Sequence, residues 1–248
     1  MDVLIALTES DLRARYGRGS WQLVKWLVDP FALVGVYLLL VTFILHRGGP
    51  APGLSLACAV IPFQLVMMTI VNAMGAVYLR GSIIRNMDFD RVLIPVSSAL
   101  TEAVAFAASF VLAAIMMAAY GVAPTLDVFW LVPAIAVTIV FAIACAYVAS
   151  LIGVWFRDLR SFVVSFVRAL FFLAPGLVAI HEIGGTAQTL VKLNPLSGLF
   201  ESYRSALLAG RRPAAWEFAI PLAWSLLLLV VALPLYGREH RQFAKIVE

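Results

Sequence analysis

Residues 157–210 read RDLRSFVVSFVRALFFLAPGLVAIHEIGGTAQTLVKLNPLSGLFESYRSALLAG, and this stretch decides the fold. A charged turn leads into an aromatic run that is broken at Pro175-Gly176. The next segment is too apolar for an ordinary loop and too short to cross a bilayer, which takes about 20 apolar residues in a helix. The chain then returns through Leu193-Asn194-Pro195 to Glu201-Ser202-Tyr203-Arg204. This pattern predicts a re-entrant helical segment at one side of a membrane.

The composition indicates an integral membrane protein. Apolar and aromatic residues make up 63% of the chain and charged residues only 13%, against about 25% charged in soluble domains. We predict an all-α fold with six transmembrane helices and one re-entrant segment between the fifth and the sixth. The predicted spans are residues 31–45 (extended back through Trp26), 48–79, 103–125, 128–156, 161–180 and 218–237. Residues 1–248 are expected to form a single domain, with 21–237 as its six-span region.

The distribution of Lys and Arg predicts the orientation of the chain. With both ends in the cytoplasm, thirteen of the eighteen Lys and Arg residues lie on the cytoplasmic side. The other five lie outside: Arg47, Lys192, Arg204, Arg211 and Arg212. Because positively charged loops tend to stay in the cytoplasm, we expect cytoplasmic termini and a cytoplasmic tail at residues 238–248. We see no basic and aromatic patch that would indicate nucleic-acid binding.

Metal and disulfide chemistry are not indicated. Cys58 and Cys145 both fall inside predicted spans, where we expect them to serve as packing residues. The three histidines are scattered and lack the spacing of metal ligands. Two charges, Glu102 and Arg168, fall within predicted spans, where a charged side chain is costly. We expect Glu102 to need a partner and Arg168 to be able to snorkel towards the cytoplasm.

Residues 1–20 predict an amphipathic helix at the membrane interface. Leucines alternate there with charged residues, and Glu9 and Arg13 are spaced as a favourable i,i+4 pair. We expect this helix to lie on the cytoplasmic interface with its apolar side in lipid. It would serve either as a simple anchor or as an element that transmits force into the first span.

Two cytoplasmic segments are candidates for contact with a partner. Residues 80–91 mix charge with apolar side chains, which predicts a short amphipathic helix that docks on a soluble protein. Packing on the membrane surface would use the same residues. Residues 157–160 form a shorter charged turn, which is either a second contact or a positively charged anchor.

These motifs, taken in order, resemble a known family. They are the N-terminal Asp11-Leu12-Arg13-Ala14-Arg15-Tyr16, Asp29-Pro30, the loop 85–95, Phe156-Arg157-Asp158, Phe171-Phe172-Leu173-Ala174-Pro175, Leu193-Asn194-Pro195, Glu201-Ser202-Tyr203-Arg204 and a basic tail. Their order and spacing resemble those of the type-2 ABC transporter permeases. Within that family the chain is most similar to polysaccharide, O-antigen and teichoic-acid exporters, although it has Asp29-Pro30 where the family more often shows Asn-Pro.

The resemblance implies a transport subunit of the bacterial cytoplasmic membrane rather than an enzyme. Two copies would pair with two cytoplasmic ABC ATPase subunits, which would hold ATP and Mg. This chain contains no G-x-x-x-x-G-K-[ST] phosphate loop, and we expect no cofactor in it. By analogy, the residues that contact the ATPase are Arg80, Arg85, Met87, Asp88, Phe89, Asp90, Arg91, Arg157, Asp158 and Arg160.

The implied cargo is a lipid-linked glycan that passes between the two copies. Sugar rings stack on aromatic side chains through their CH-rich faces, which makes aromatic residues of the first and fifth spans candidates for the channel wall. These candidates are Trp26, Phe31, Tyr37, Phe162, Phe166, Phe171 and Phe172. Packing or lipid contact is the alternative role for most of them.

Residues 182–209 are the candidate outer gate. The residues assigned to this gate are Asn194, Pro195, Glu201 and Arg204, and we expect Glu201 and Arg204 to pair, one helical turn apart. An external hairpin without a gating role is the alternative.

Three other functions remain open on the sequence. The same fold supports export of a small hydrophobic drug or lipid. An intramembrane enzyme would need acidic or histidine residues clustered at a membrane face, and we expect no such cluster beyond Asp88 and Asp90. A channel or structural protein without ATP coupling is the third.

Overall fold

The computed structural model describes residues 2–16, 21–44, 46, 51–81 and 89–239, and every regular element within these ranges is helical. We number the α-helices α1 to α9 in chain order. They are α1 (Asp2–Tyr16), α2 (Trp21–Leu39), α3 (Pro52–Leu79), α4 (Leu93–Ala119), α5 (Leu131–Trp155), α6 (Arg160–Leu173), α7 (Gly185–Lys192), α8 (Pro195–Leu207) and α9 (Ala215–Glu239). A π-helical turn, Leu40–Ile44, continues α2, and short 3₁₀ turns at Leu126–Trp130, Arg157–Leu159 and Ile180–Glu182 precede α5, α6 and α7.

Four helices are long and apolar enough to cross a membrane. They are α3, α4, α9 and the continuous stretch Leu126–Trp155 that contains α5. This confirms a multi-pass, all-helical membrane protein. The first and fifth predicted spans are shorter: the apolar part of the first is Pro30–Ile44, and α6 has 14 residues. The total of six spans therefore stays a prediction.

Two predicted boundaries need correction. The third span was expected to begin at residue 103, but α4 begins ten residues earlier, at Leu93. The predicted span began after Glu102 because that residue is charged. In the structure Glu102 is buried, together with the polar residues Ser97, Ser98 and Thr101 of the first turns of α4. The fifth span was expected to run from 161 to 180, whereas α6 ends at Leu173, just before Pro175.

Helix α3 is the centre of the bundle and contacts α2, α4, α5, α6 and α8. It is buried on nearly all sides, as expected of a helix that is apolar around its whole circumference. Its closest approach is to α5, where Gly153 lies so near that an added Cβ would be 2.0 Å from the carbonyl oxygen of Met74. Only glycine fits at that crossing, because a heavy atom at this distance would overlap the backbone.

Helix α1 packs against α4. Leu7 is buried there and Leu4, Asp11 and Leu12 are half-buried, whereas Ile5 points outward. Part of the apolar side of the helix therefore covers protein, and the contact of the exposed apolar residues with lipid stays a prediction. Its leucines pack against α4, and a contact between Asp11 and Arg80, described below, holds α1 there.

Candidate functional site

Helix α8 is the part of residues 157–210 that was predicted to return after the break. Two residues predicted for the gate, Asn194 and Pro195, lie at its start. The Asn194 side chain accepts a hydrogen bond from the Leu196 N–H (3.0 Å), which is an N-cap contact, and Pro195 occupies the first turn, where no N–H partner is needed. The Asn194 amide also donates to the Leu170 carbonyl oxygen of α6 (3.3 Å). Asn194 therefore fixes the start of α8 against the end of α6.

Helix α8 is buried over almost its full length, from Leu196 to Leu207. It packs against α9, α3 and α5 of the same chain. The bundle of the same chain therefore covers α8, and its burial needs neither a second copy nor a water-filled vestibule. Helix α7, in contrast, has no buried residue.

Glu201 and Arg204 form the predicted ion pair inside this packing. Arg204 Nη1 lies 2.8 Å from Glu201 Oε1, and the two side chains are only 3% and 4% exposed. The same Arg204 nitrogen donates to the Pro175 carbonyl oxygen (2.6 Å), and Nη2 donates to that of Gly176 (3.2 Å). Its Nε donates to the backbone carbonyl and to the hydroxyl of Ser55 at the start of α3.

The pair joins three separate parts of the chain. Arg204 connects α8 to the start of α3 and to the break after α6, and Glu201 Oε1 also accepts from the Ile180 N–H (3.0 Å). A buried charge is tolerated when it is paired and its remaining polar atoms are hydrogen-bonded, and both conditions hold here. Arg204 therefore connects α8, the start of α3 and the segment after α6 at this end of the bundle.

A second buried carboxylate lies beside the first pair. Glu217, near the start of α9, is fully buried and accepts from the Ser205 hydroxyl (2.9 Å) and from Arg211 (3.0 Å). The sequence analysis did not single out Glu217, because this residue lies immediately before the predicted span 218–237. Its position six residues after Arg211, directly before that span, was the available signal.

The predicted channel aromatics separate into two groups. Phe171 is fully buried, with ring centroids of Tyr37 at 5.2 Å, Phe63 at 4.6 Å and Phe200 at 5.6 Å, and Phe172 packs edge-on against Tyr37 at 6.1 Å. Phe171 thus belongs to the interior of the chain, although it was predicted to line a channel.

The other aromatic candidates lie nearer the surface. Phe162 and Phe166, one turn apart on α6, are 68% and 54% exposed, and Phe172 is 55% exposed. Phe31 is half-buried. Trp26 lies in α2, and the position of its side chain is outside the described part of the structure. The exposed side of α6 is therefore the place where aromatic residues reach the surface together.

The chain turns sharply at the break after α6. An added Cβ at Gly176 would lie 2.7 Å from both the ring and the carbonyl oxygen of Phe171. The backbone therefore folds directly over this buried ring, which explains why the aromatic run is followed by Pro175-Gly176. The carbonyl groups freed by the break are those that Arg204 binds.

The other end of α3 carries a second buried arginine. Arg80, the residue after α3, contacts the Asp11 carboxylate of α1 and donates to the hydroxyls of Ser97 (2.9 Å) and Ser98 (3.4 Å). Arg80 was predicted as a contact to an ATPase, but its side chain is 5% exposed and faces the bundle. These contacts position α1 against α4 at the point where the chain leaves α3.

The remaining predicted contact residues lie near this end. Arg85, Met87 and Asp88 are outside the described residues. Asp90 is exposed and accepts from the Val92 N–H (3.1 Å), which shapes the entry into α4, whereas Phe89 and Arg91 are half-buried. Asp158 and Arg160 are exposed at the turn before α6, and the backbone of Arg157 belongs to the same turn.

The two buried arginines, Arg80 and Arg204, bind at opposite ends of α3. Ser55, which Arg204 contacts, and Arg80 are 25 positions apart on α3, or roughly 37 Å at 1.5 Å per residue. This length matches the hydrocarbon core of a bilayer together with part of its headgroup layers. Between them, Glu102 accepts a hydrogen bond from the Asn72 amide (2.7 Å), so this buried carboxylate has a partner.

Comparison with known proteins gives relatives that match almost the whole chain. No protein-family profile matches it. Two proteins of Klebsiella pneumoniae, both named O-antigen export system permease protein RfbA, are each 24% identical to it over 248 residues. The alignments cover 99% of this chain and 95% of each relative. A protein of the same name from Myxococcus xanthus is 26% identical over 246 residues, 98% of this chain and 94% of the relative.

These relatives confirm the resemblance that the sequence motifs indicated. The chain is similar to O-antigen export permeases from one end to the other, and the similarity indicates a transport subunit rather than an ATPase.

Proposed function

We propose that this chain is the membrane permease of an ATP-driven ABC exporter that moves a lipid-linked polysaccharide across the bacterial cytoplasmic membrane. The observation that carries the proposal is similarity over 98–99% of the chain to three proteins named for O-antigen export. The four long apolar helices are consistent with it. The cargo class is a cell-surface glycan of the O-antigen or teichoic-acid type, attached to a lipid carrier.

ATP hydrolysis is assigned to separate subunits, because the chain has no phosphate-loop motif. We place the contact with two ABC ATPases, which would hold ATP and Mg, at the loop 81–91 and the turn 157–160. The exposed Asp90, Asp158 and Arg160 support this surface. Arg80 acts from inside, because its buried side chain ties the base of the loop to α1 and α4.

The two shorter apolar segments are proposed to complete six spans. Helix α6 has 14 residues and extends roughly 21 Å at 1.5 Å per residue, which is less than the bilayer core of about 30 Å. The crossing would be completed by residues 174–180, whose freed carbonyl groups are bonded by Arg204. Both termini are then cytoplasmic, in agreement with the distribution of Lys and Arg.

A homodimer is proposed because large apolar side chains of α2 and α6 are exposed in a single copy. Val36 and Phe43 of the first span and Phe162 and Phe166 of α6 are all more than half exposed. Two copies that present these residues to each other would enclose a path lined with aromatic side chains, which suit the CH-rich faces of sugars. Phe171 would support that wall from behind.

Helix α8 is proposed to frame the outer gate. Its ends are set by Asn194 and Pro195, and Glu201 and Arg204 hold it to α3 and to the break after α6. An Arg204→Ala variant should then export less glycan per folded molecule while it still binds the ATPase. Normal glycan at the cell surface with this variant would contradict the gating role.

The function is tested by deletion and complementation. Deleting the gene should remove a glycan from the cell surface and cause lipid-linked precursor to accumulate inside, and the wild-type gene should restore both. An unchanged surface glycan, together with loss of resistance to a hydrophobic compound, would instead support export of a small drug or lipid.

Coupling to an ATPase is tested by co-purification. The affinity-tagged permease should recover an ABC ATPase, and Arg160→Glu should reduce the recovery several-fold because it reverses a charge on the proposed contact. Arg212→Glu is the matched control, since Arg212 is exposed and lies over Trp130 before α5, away from that contact. Failure of the wild-type protein to recover any ATPase would refute the ATP-driven mechanism.

A further inference from the structure

The exposed side of α6 carries a polar stripe beside its aromatic residues. Ser161, Ser165 and Arg168 are all exposed, at spacings of four and three residues. On a helix with 3.6 residues per turn they fall within about 60° of one another. Val167 and Phe171 are buried, and Phe171, three residues after Arg168, lies about 60° from it around the helix. The stripe therefore lies on the exposed side of α6, with Arg168 at the edge that borders the buried face.

Arg168 has a different environment from the other arginines that sit among apolar helices. Arg80 and Arg204 each contact a carboxylate, but Arg168 forms no ion pair with any residue that the structure describes. It lies eight residues into α6, roughly 12 Å from the start of the helix. A guanidinium is unfavourable against lipid at such depth, so Arg168 either snorkels towards the cytoplasmic headgroups, as the sequence led us to expect, or has water or an anion beside it.

The neighbours of Arg168 favour an amphiphilic anion. Phe162 and Phe166 form an apolar stripe beside the polar one. On the other flank, the phenol of Tyr37 lies within electrostatic range of Arg168. Ser165 donates its hydroxyl proton to the Ser161 carbonyl (2.9 Å). The remaining donors of the stripe, within the described residues, are the Arg168 guanidinium and the Ser161 hydroxyl.

We propose that this stripe binds the phosphate group that joins the lipid carrier to the glycan, with Arg168 as the principal ligand. This inference rests on the proposed function and assigns a site to the phosphate end of its substrate. A guanidinium presents paired N–H donors that match two oxygens of one phosphate. The phenylalanines alongside offer contact to the apolar carrier or to the first sugar rings.

The proposal is tested with farnesyl diphosphate as a short lipid phosphate and farnesol as its uncharged counterpart. Full-length protein in phosphatidylcholine nanodiscs is titrated with each, as wild type and as Arg168→Gln, Arg168→Lys and Arg238→Gln. The wild type and Arg238→Gln, a control at an exposed arginine near the end of α9, should bind the diphosphate at least tenfold more tightly than farnesol. Arg168→Gln should lose this preference, and Arg168→Lys should keep part of it.

Three results would overturn the assignment. The first is an unchanged preference in Arg168→Gln. The second is full competition by phosphatidylglycerol added to the nanodiscs, which would show a general phospholipid site. The third is conversion of a dimer to a monomer by Arg168→Gln, which would show that Arg168 pairs with a carboxylate of the second copy.

A cellular assay separates this inference from the proposed function. If the wild-type gene fails to restore surface glycan in a deletion strain, the proposed function fails whatever the binding result. If it does restore glycan, Arg168→Gln at equal protein level should lower export several-fold, and Arg238→Gln should not. Equal export by both variants would overturn the role of Arg168 in transport.

Discussion

Replacing Arg204 by alanine should strongly destabilise the chain. The change removes the donor to the carbonyl groups of Pro175 and Gly176 and to Ser55, and it leaves the Glu201 carboxylate buried with only the Ile180 N–H. Removing one partner of a buried ion pair costs about 3–5 kcal/mol. For a chain of this size such a loss corresponds to a fall of roughly 6–20 °C in the unfolding midpoint.

The measurement is a thermal unfolding curve of the purified protein in detergent, with two comparison variants. Arg13→Ala removes an exposed i,i+4 pair with Glu9 and should cost under about 1 kcal/mol. Glu201→Gln combined with Arg204→Ala should recover part of the loss, because the uncompensated buried charge is gone. The reasoning would be refuted if Arg204→Ala behaved like Arg13→Ala, or if the double variant were no more stable than Arg204→Ala alone.

Three further predictions concern packing and caps. Gly153→Ala should lower the free energy of unfolding by about 1–3 kcal/mol, because its Cβ overlaps the backbone of α3. Gly75→Ala, with its nearest new neighbour at 3.7 Å, should be neutral or stabilising, and the same unfolding midpoint for Gly153→Ala as for Gly75→Ala would contradict the packing argument. Asp11→Ala should expose α1 to limited proteolysis several-fold faster than Glu9→Ala, and equal rates would show that the buried contact does not hold α1. Asn194→Ala should cost about 1 kcal/mol in the unfolding curve through loss of the N-cap, and no loss would show that the cap is dispensable.

The sequence predicted the long helices well where they are apolar throughout. Three of the four candidate spans match charge-free runs to within a few residues at their apolar cores. The fourth, α4, was misplaced at its start because Glu102 is charged, although its side chain is buried against another helix. Hydropathy records how polar a residue is and not which way it points.

The candidate site was predictable in part. The i,i+3 spacing was enough to anticipate the Glu201–Arg204 pair, since residues one turn apart share a helix face. The contacts of Arg204 with Ser55 and Pro175 were not, because they join residues far apart in the chain. Arg80 was taken for a surface residue, since the preference of cations for the cytoplasmic side indicates a side of the membrane but not burial.

The burial of α8 inside its own chain has a consequence for biogenesis. Its capping, its ion pair and its packing against α3 and α9 are all made within one polypeptide. A single copy can therefore complete the packing of α8 on its own. If two copies associate as proposed above, their association would be a separate, concentration-dependent step between folded subunits, and their separation would leave α8 packed.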